Sequence, residues 1–150
     1  MDHATVEALA AATSAAWSGT TEDIIALWDA DTFRFYKAEE ISEIYHRFGQ
    51  AVAYWRANEA LHETVRLAFG DIVAKPLEGR FAAVTMALRW DIRFSSGAPG
   101  QLAGKAMGGT NHVVALTTQT GAGLRWAAWS ETPDAAITYV RRLYENEARI

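Results

Sequence analysis

Apolar positions recur at three- and four-residue steps through Val6, Leu9, Ala10, Thr13 and Trp17, the spacing of a helix that buries one face. Ser18-Gly19 marks its end. A short second helix follows. Thr20 or Thr21 can cap it, Asp23 stands at capping-box distance from Thr20, and Ile24, Ile25, Leu27 and Trp28 supply an apolar face. Asp29-Ala30-Asp31 interrupts the pattern, and Phe33-Arg34-Phe35-Tyr36 alternates briefly. Ile41, Ile44, Tyr45, Phe48, Val52 and Trp55 then return to a helical period. A glycine inside a helix costs about 1 kcal/mol relative to alanine. Gly49 therefore leaves two starting points open for this third helix, near Glu39 or near Gly49.

From Thr64 onward the period changes to two. Val65, Leu67, Phe69 and Val73 alternate with Arg66, Ala68 and Gly70. Ala82, Val84, Met86, Leu88, Trp90, Ile92 and Phe94 form one face of a long strand, with Ala83, Thr85, Ala87, Arg89, Asp91 and Arg93 on the other. The pattern predicts a third strand from about Lys105 to Thr118 and, after the turn Gln119 to Gly123, a fourth from Leu124 to Ser130. Strands joined by such short turns pair antiparallel. Thr132-Pro133-Asp134 offers an N-cap, a proline at the first helical position and an acid in the first turn, so a closing helix is expected over 132–150. Helices, then a meander, then a helix is an α+β layout with the helices on one sheet face.

Composition narrows the function without naming one. A chain of 150 residues is one ordinary domain, expected here to span 1–150. Half the residues are apolar and the net charge is -4, so bulk attraction to nucleic acid or to an anionic membrane surface is not expected. With no cysteine there is no disulfide, thiolate metal site or cysteine nucleophile. The acidic start Met1-Asp2-His3-Ala4-Thr5-Val6-Glu7 differs from a secretory leader, and a cytoplasmic location is expected. His3, His46, His62 and His112 are scattered, and His62-Glu63 meets Arg66 where a zinc-protease helix needs a second histidine. Neither a bound metal nor a cofactor is expected. The glycines from Gly97 to Gly109 lack phosphate-loop spacing and read as a loop entering a strand; no nucleophile elbow or dinucleotide fingerprint exists.

The run from Leu9 to Phe35, with its helix, Ser18-Gly19, the capped segment Asp23-Ile24-Ile25-Ala26-Leu27-Trp28 and then Asp29-Ala30-Asp31, resembles the opening of nuclear transport factor 2-like proteins. These include the SnoaL-like and ketosteroid-isomerase-like cone folds. Gly49-Gln50-Ala51-Val52-Ala53-Tyr54-Trp55 is similar to the superfamily's third helix, and Leu124 to Ser130 to its aromatic last strand. The resemblance covers residues 4–131. It implies a cystatin-like α+β cone: a curved antiparallel sheet packed against the N-terminal helices, here with an added C-terminal helix. It also implies a pocket between helices and sheet and a homodimer formed through the outer sheet face. Laid on ketosteroid isomerases, the place of the catalytic tyrosine falls at about Ala12 and that of the aspartate base at about Tyr36. The oxyanion-hole aspartate falls near Asn111. Steroid isomerisation is therefore disfavoured.

The candidate proton-transfer groups are His112 with Asp29 or Asp31, set against the ordinary roles of turn aspartates that bond their own backbone and of a satisfied strand histidine. Arg89, Asp91 and Arg93 read as a water-exposed ladder. Six tryptophans, five tyrosines and six phenylalanines are rich for one core. They suggest an apolar cavity walled by some of Trp28, Tyr36, Tyr45, Trp55 and Trp90 and polarised by Asn111 or His112. Two readings remain. One is a pocket protein for a small apolar or ring-bearing molecule, with cofactor-independent isomerase, cyclase or hydrolase chemistry; the other is a non-catalytic homodimeric binding or scaffolding module. The small outward residues Ala83, Thr85 and Ala87 would let a second sheet approach in either case.

Overall fold

The computed structural model describes residues 3–134 and 146. Helix α1 (His3–Trp17) buries Val6, Leu9, Ala10 and Thr13. Helix α2 (Thr21–Ile25) starts at a complete capping box, in which the Thr20 side chain accepts from the Asp23 amide and the Asp23 side chain accepts from the Thr20 amide. The brief alternation after it is strand β1 (Phe35–Lys37), and α3 spans Phe48–Leu61, so the third helix takes the later of its two starting points. Strands β2 (His62–Pro76), β3 (Phe81–Phe94), β4 (Ala106–Thr120) and β5 (Gly123–Pro133) follow, with a single 3-10 turn at Gly100–Leu102.

The sheet has the order β1-β5-β4-β3-β2. The four long strands pair antiparallel as the alternation predicts, but β1 lies parallel to β5, with Phe35 beside Ala128 and Lys37 beside Ser130. The antiparallel meander thus gains one short parallel edge strand. The segment after α2 runs to the far edge of the sheet, so β1 meets β5 through a long connection and not a turn. The cone-like α+β class itself stands.

A second difference concerns the end of the described chain. Thr132 and Pro133 do not cap a helix; β5 carries through them, opposite His112 and Asn111, and the Asp134 amide donates to the Thr110 carbonyl at 2.9 Å. Proline is tolerated there because β1 reaches no further than Ser130, leaving that end of β5 with one open side that needs no donor. The expected closing helix lies outside the described residues.

One-residue register shifts interrupt β2 between Gly70 and Val73, where Asp71 takes φ 51°, and β5 opposite Leu116/Thr117. Each leaves an extra residue on one strand, which bends the ladder and increases its twist. The helices lie across the resulting concave face, with α1 packed over β2 and reaching β5. Ser18 at the end of α1 donates its hydroxyl to the Val65 carbonyl at 2.7 Å.

At the centre Trp126 is fully buried, and its indole N–H donates at 2.8 Å to the Thr13 hydroxyl, which itself donates to the Leu9 carbonyl. Helix and sheet thus share a buried polar link. Thr13→Val keeps the shape but leaves the indole N–H without an acceptor, a loss of about 1–3 kcal/mol that urea unfolding measures directly.

Candidate functional site

The rings do not close the space between helices and sheet. A cavity of about 410 Å³ remains, within the range of small-molecule sites. Trp28 follows α2, Tyr36 comes from β1, and Tyr54 and Trp55 come from α3. Trp90 on β3 and Trp126 and Trp129 on β5 wall the sheet side. Against these stand a few polar groups: Asn58, His62, Asn111, Glu39, Glu40 and Glu131.

The shift in β5 decides which of its residues reach this space. Leu116 pairs with Ala128 and Thr117 with Trp126, so Ala127 is the extra residue. In a regular strand Trp126 and Trp129 would face opposite sides of the sheet; the bulge puts both on the concave side, their rings 5.1 Å apart and nearly perpendicular. Two residues further on, period two brings Glu131 to the same side.

Glu131 is held from two directions. The Trp129 indole N–H donates to Oε1 at 2.8 Å, and the Asn111 amide donates to Oε2 at 3.1 Å. Asn111 is buried, and its own oxygen lies 3.4 Å from the Trp90 indole N–H, a longer contact. Trp90 reaches it because Gly109 lies opposite: a Cβ there would come within 3.1 Å of the indole. Burial pushes the Glu131 carboxyl above the usual range, the donors from Trp129, Asn111 and the Glu39 amide pull it back, and the Glu40 charge pushes it up again. The net direction is upward. Glu40, with an exposed side chain at the mouth, is also raised, first by burial and then by neighbouring Glu39, with Lys37 acting against them.

Tyr36 lies almost wholly buried in the wall, and burial followed by the Glu131 charge raises its phenol well above its ordinary value. It stays protonated at any working pH. The nearby Trp55 N–H acts in the opposite direction, although it reaches no partner with hydrogen-bond geometry. His62, at the junction of α3 and β2, packs its ring edge-on against Phe94 at 5.2 Å, and burial lowers its pKa. It is held neutral at pH 7.

Of the residues singled out in the sequence, Trp28, Tyr36, Trp55, Trp90 and Asn111 line the cavity. Tyr45 does not: its backbone pairs with that of Tyr36 and its ring packs on Tyr54 at 6.1 Å. His112 alternates with Asn111 and so faces outward, exposed, with Nε2 2.6 Å from Asp134. Asp29 accepts the Thr32 hydroxyl at 2.6 Å, the local role common for a turn aspartate, and Asp31 is exposed beside it. The structure therefore does not bring His112, Asp29 and Asp31 together on the cavity. Instead it brings Glu131, Glu40, Tyr36 and His62 there. Glu131 had a detectable signal, the alternation continued two residues beyond Trp129, but the expected helix cap at Thr132 ended the strand too early.

No protein-family model matches the chain, and no curated protein matches it in sequence. Solved structures do match in shape. A candidate dehydratase of the NTF2-like family from Streptomyces avermitilis superposes with a TM-score of 0.75 at 16% identity, covering 90% of this chain and 98% of that one. An uncharacterised protein with a cystatin-like fold from Caulobacter vibrioides gives 0.69 at 14% identity, over 98% and 97% of the two chains. A candidate scytalone dehydratase from Novosphingobium aromaticivorans gives 0.71 at 8% identity, over 85% and 80%. At such identities what is shared is the path of the backbone: the chain has the nuclear transport factor 2-like, cystatin-like α+β fold.

Proposed function

We propose that the protein binds a small ring-bearing molecule in this cavity and moves a proton on it, with Glu131 as the general base. The observation that carries this reading is a carboxylate inside an aromatic-walled cavity, oriented by two side-chain donors and with its pKa raised by burial above the ordinary carboxylate value. A base is most effective when its pKa lies near the working pH and its lone pairs are aimed by fixed partners. Tyr36, kept protonated by burial, would donate to the oxygen on which charge develops. Glu131 would return the proton at another atom or pass it to a leaving hydroxyl. No cofactor is needed for such a step. The names carried by two of the similar structures, both candidate dehydratases, agree with proton abstraction coupled to loss of water.

A carbon acid whose reaction needs only a base tests this. 5-Nitrobenzisoxazole loses its ring C–H proton as its N–O bond breaks, giving a coloured cyanophenolate. The protein is expected to accelerate this reaction, and Glu131→Gln to lower the rate about 10²-fold or more. An unchanged rate in that variant rules Glu131 out as the base.

The pH profile has a defined sign. The base acts as its carboxylate, so the rate climbs as pH rises through the raised pKa of Glu131. Glu40→Gln removes a neighbouring negative charge, which makes ionisation easier and moves the midpoint to lower pH. Initial rates across a buffer series show whether it does.

We further propose that two chains associate through the outer sheet face, where Val73 and Val114 are exposed on either side of Thr85, with Ala83 and Ala87 beside it. Half-exposed valines on one sheet face are costly to leave in water. Sedimentation should give twice the 16.5 kDa chain mass, and Val114→Asp should return it to the monomer.

A further inference from the structure

We infer that the cavity takes a ring-bearing organic cation, an aromatic amine in its ammonium form. The inference rests on the cavity being the ligand site proposed above and names the class of ligand it selects. Among the described residues no lysine or arginine lines the cavity, whereas Glu131 lies within it and Glu39 and Glu40 stand at its rim. Lys37 acts on Glu40 from the rim, and its ammonium donates to the Ala38 carbonyl at 2.6 Å. His62 adds no charge, because burial favours its neutral form. Among the described residues, an anionic ligand would meet carboxylates with no basic partner lining the cavity.

The walls point the same way. Trp90, Trp129, Tyr36 and Tyr54 surround the space into which Glu131 projects, and an ammonium near aromatic faces gains cation–π attraction that grows as water is excluded. A bare metal ion suits the site poorly: no group of three or more His, Asp or Glu among the described residues is placed to hold one, and tryptophan offers no ligand atom. A two-ring amine fills about 410 Å³ far better than an ammonium ion alone.

Charge linkage provides an independent readout. Glu131 faces Glu40 and Tyr36, and Glu40 faces Glu39 and Lys37; an ammonium placed between the two carboxyls favours their ionised forms. Where either carboxyl is part-protonated, binding a cation must release protons.

Isothermal titration of the full chain at pH 7 with 1-naphthylmethylamine, 1-naphthylmethanol and 1-naphthylacetate compares one ring system as cation, neutral alcohol and anion. The amine should bind at least tenfold more tightly than the alcohol, and the carboxylate most weakly. Repeating the amine titration in two buffers of different ionisation enthalpy at each pH from 4.5 to 7.5 should reveal net proton release within that range. The combined variant Glu40→Gln/Glu131→Gln should cut the amine's advantage below threefold; the wild-type comparison is decisive even if that variant fails to fold. Alcohol binding as tight as the amine's, or no proton release at any pH in that range, overturns this inference and leaves the pocket intact. If none of the three binds, the ligand-site reading falls with it.

Discussion

The extra residue in β5 is the constraint on which the rest of the site depends. A regular strand alternates its side chains, so Trp126 and Trp129, three apart, would point to opposite faces. With Ala127 inserted, both turn to the concave side and Glu131 follows them. The consequences spread outward. Trp126 can then reach Thr13 on α1, which holds the helix against the sheet, and Trp129 can place its N–H on the Glu131 carboxylate. Ala127 and Ala128 are fully buried, and the Ala127 carbonyl accepts from the Arg34 amide at 2.8 Å where the chain enters β1.

The cavity and the stability of the fold make opposing demands on the same rings. Trp28, Tyr36, Phe48 and Trp55 form a contiguous cluster with centroids 5.3–6.5 Å apart, dense enough to anchor the helices. Towards Trp90 and Trp129 that density stops and the cavity begins. A void among such side chains forfeits dispersion contacts, and a carboxylate beside it carries a desolvation cost. Both are borne by the surrounding packing: the extended ladders of β2 to β5 and the helices across them. Destabilised polar groups of this kind concentrate where chemistry or recognition needs them.

The polar groups of the site form a graded series. Glu131 is inside and doubly bonded, Glu40 is at the rim and raised less directly, and Tyr36 and His62 are held neutral by burial, the first as an acid and the second as a base. Burial alone would make every one of these groups uncharged. What keeps Glu131 able to ionise is its pair of neutral donors, which stabilise the carboxylate without cancelling its charge. That distinguishes the arrangement from a salt bridge, in which an arginine would pull the pKa down and fill the space.

Local chemistry along the chain was sufficient to determine the order of most elements and the α+β class. The Thr20 and Asp23 spacing specified the start of α2, and the uninterrupted alternation from Ala82 to Phe94 specified both faces of β3, including the exposed ladder of Arg89, Asp91 and Arg93. Such signals are carried by neighbouring residues and need no distant partner. Trp28, Tyr36, Trp55, Trp90 and Asn111, chosen from the sequence for their rings or from the resemblance, line the cavity; period places Trp55 and Trp90 on the inner side of their elements. Tertiary structure alone decided the rest. The parallel pairing of β1 with β5 depends on segments about ninety residues apart, and the bulge at Ala127 is visible only once β5 is in register with β4. That single shift, together with continuation of the strand through Pro133, places Glu131 beside Asn111. The regular alternation of β4 turns His112 away to Asp134. No pattern in one strand can report this, because the side to which a residue points after a bulge is fixed by the partner strand's hydrogen bonds and not by its own neighbours.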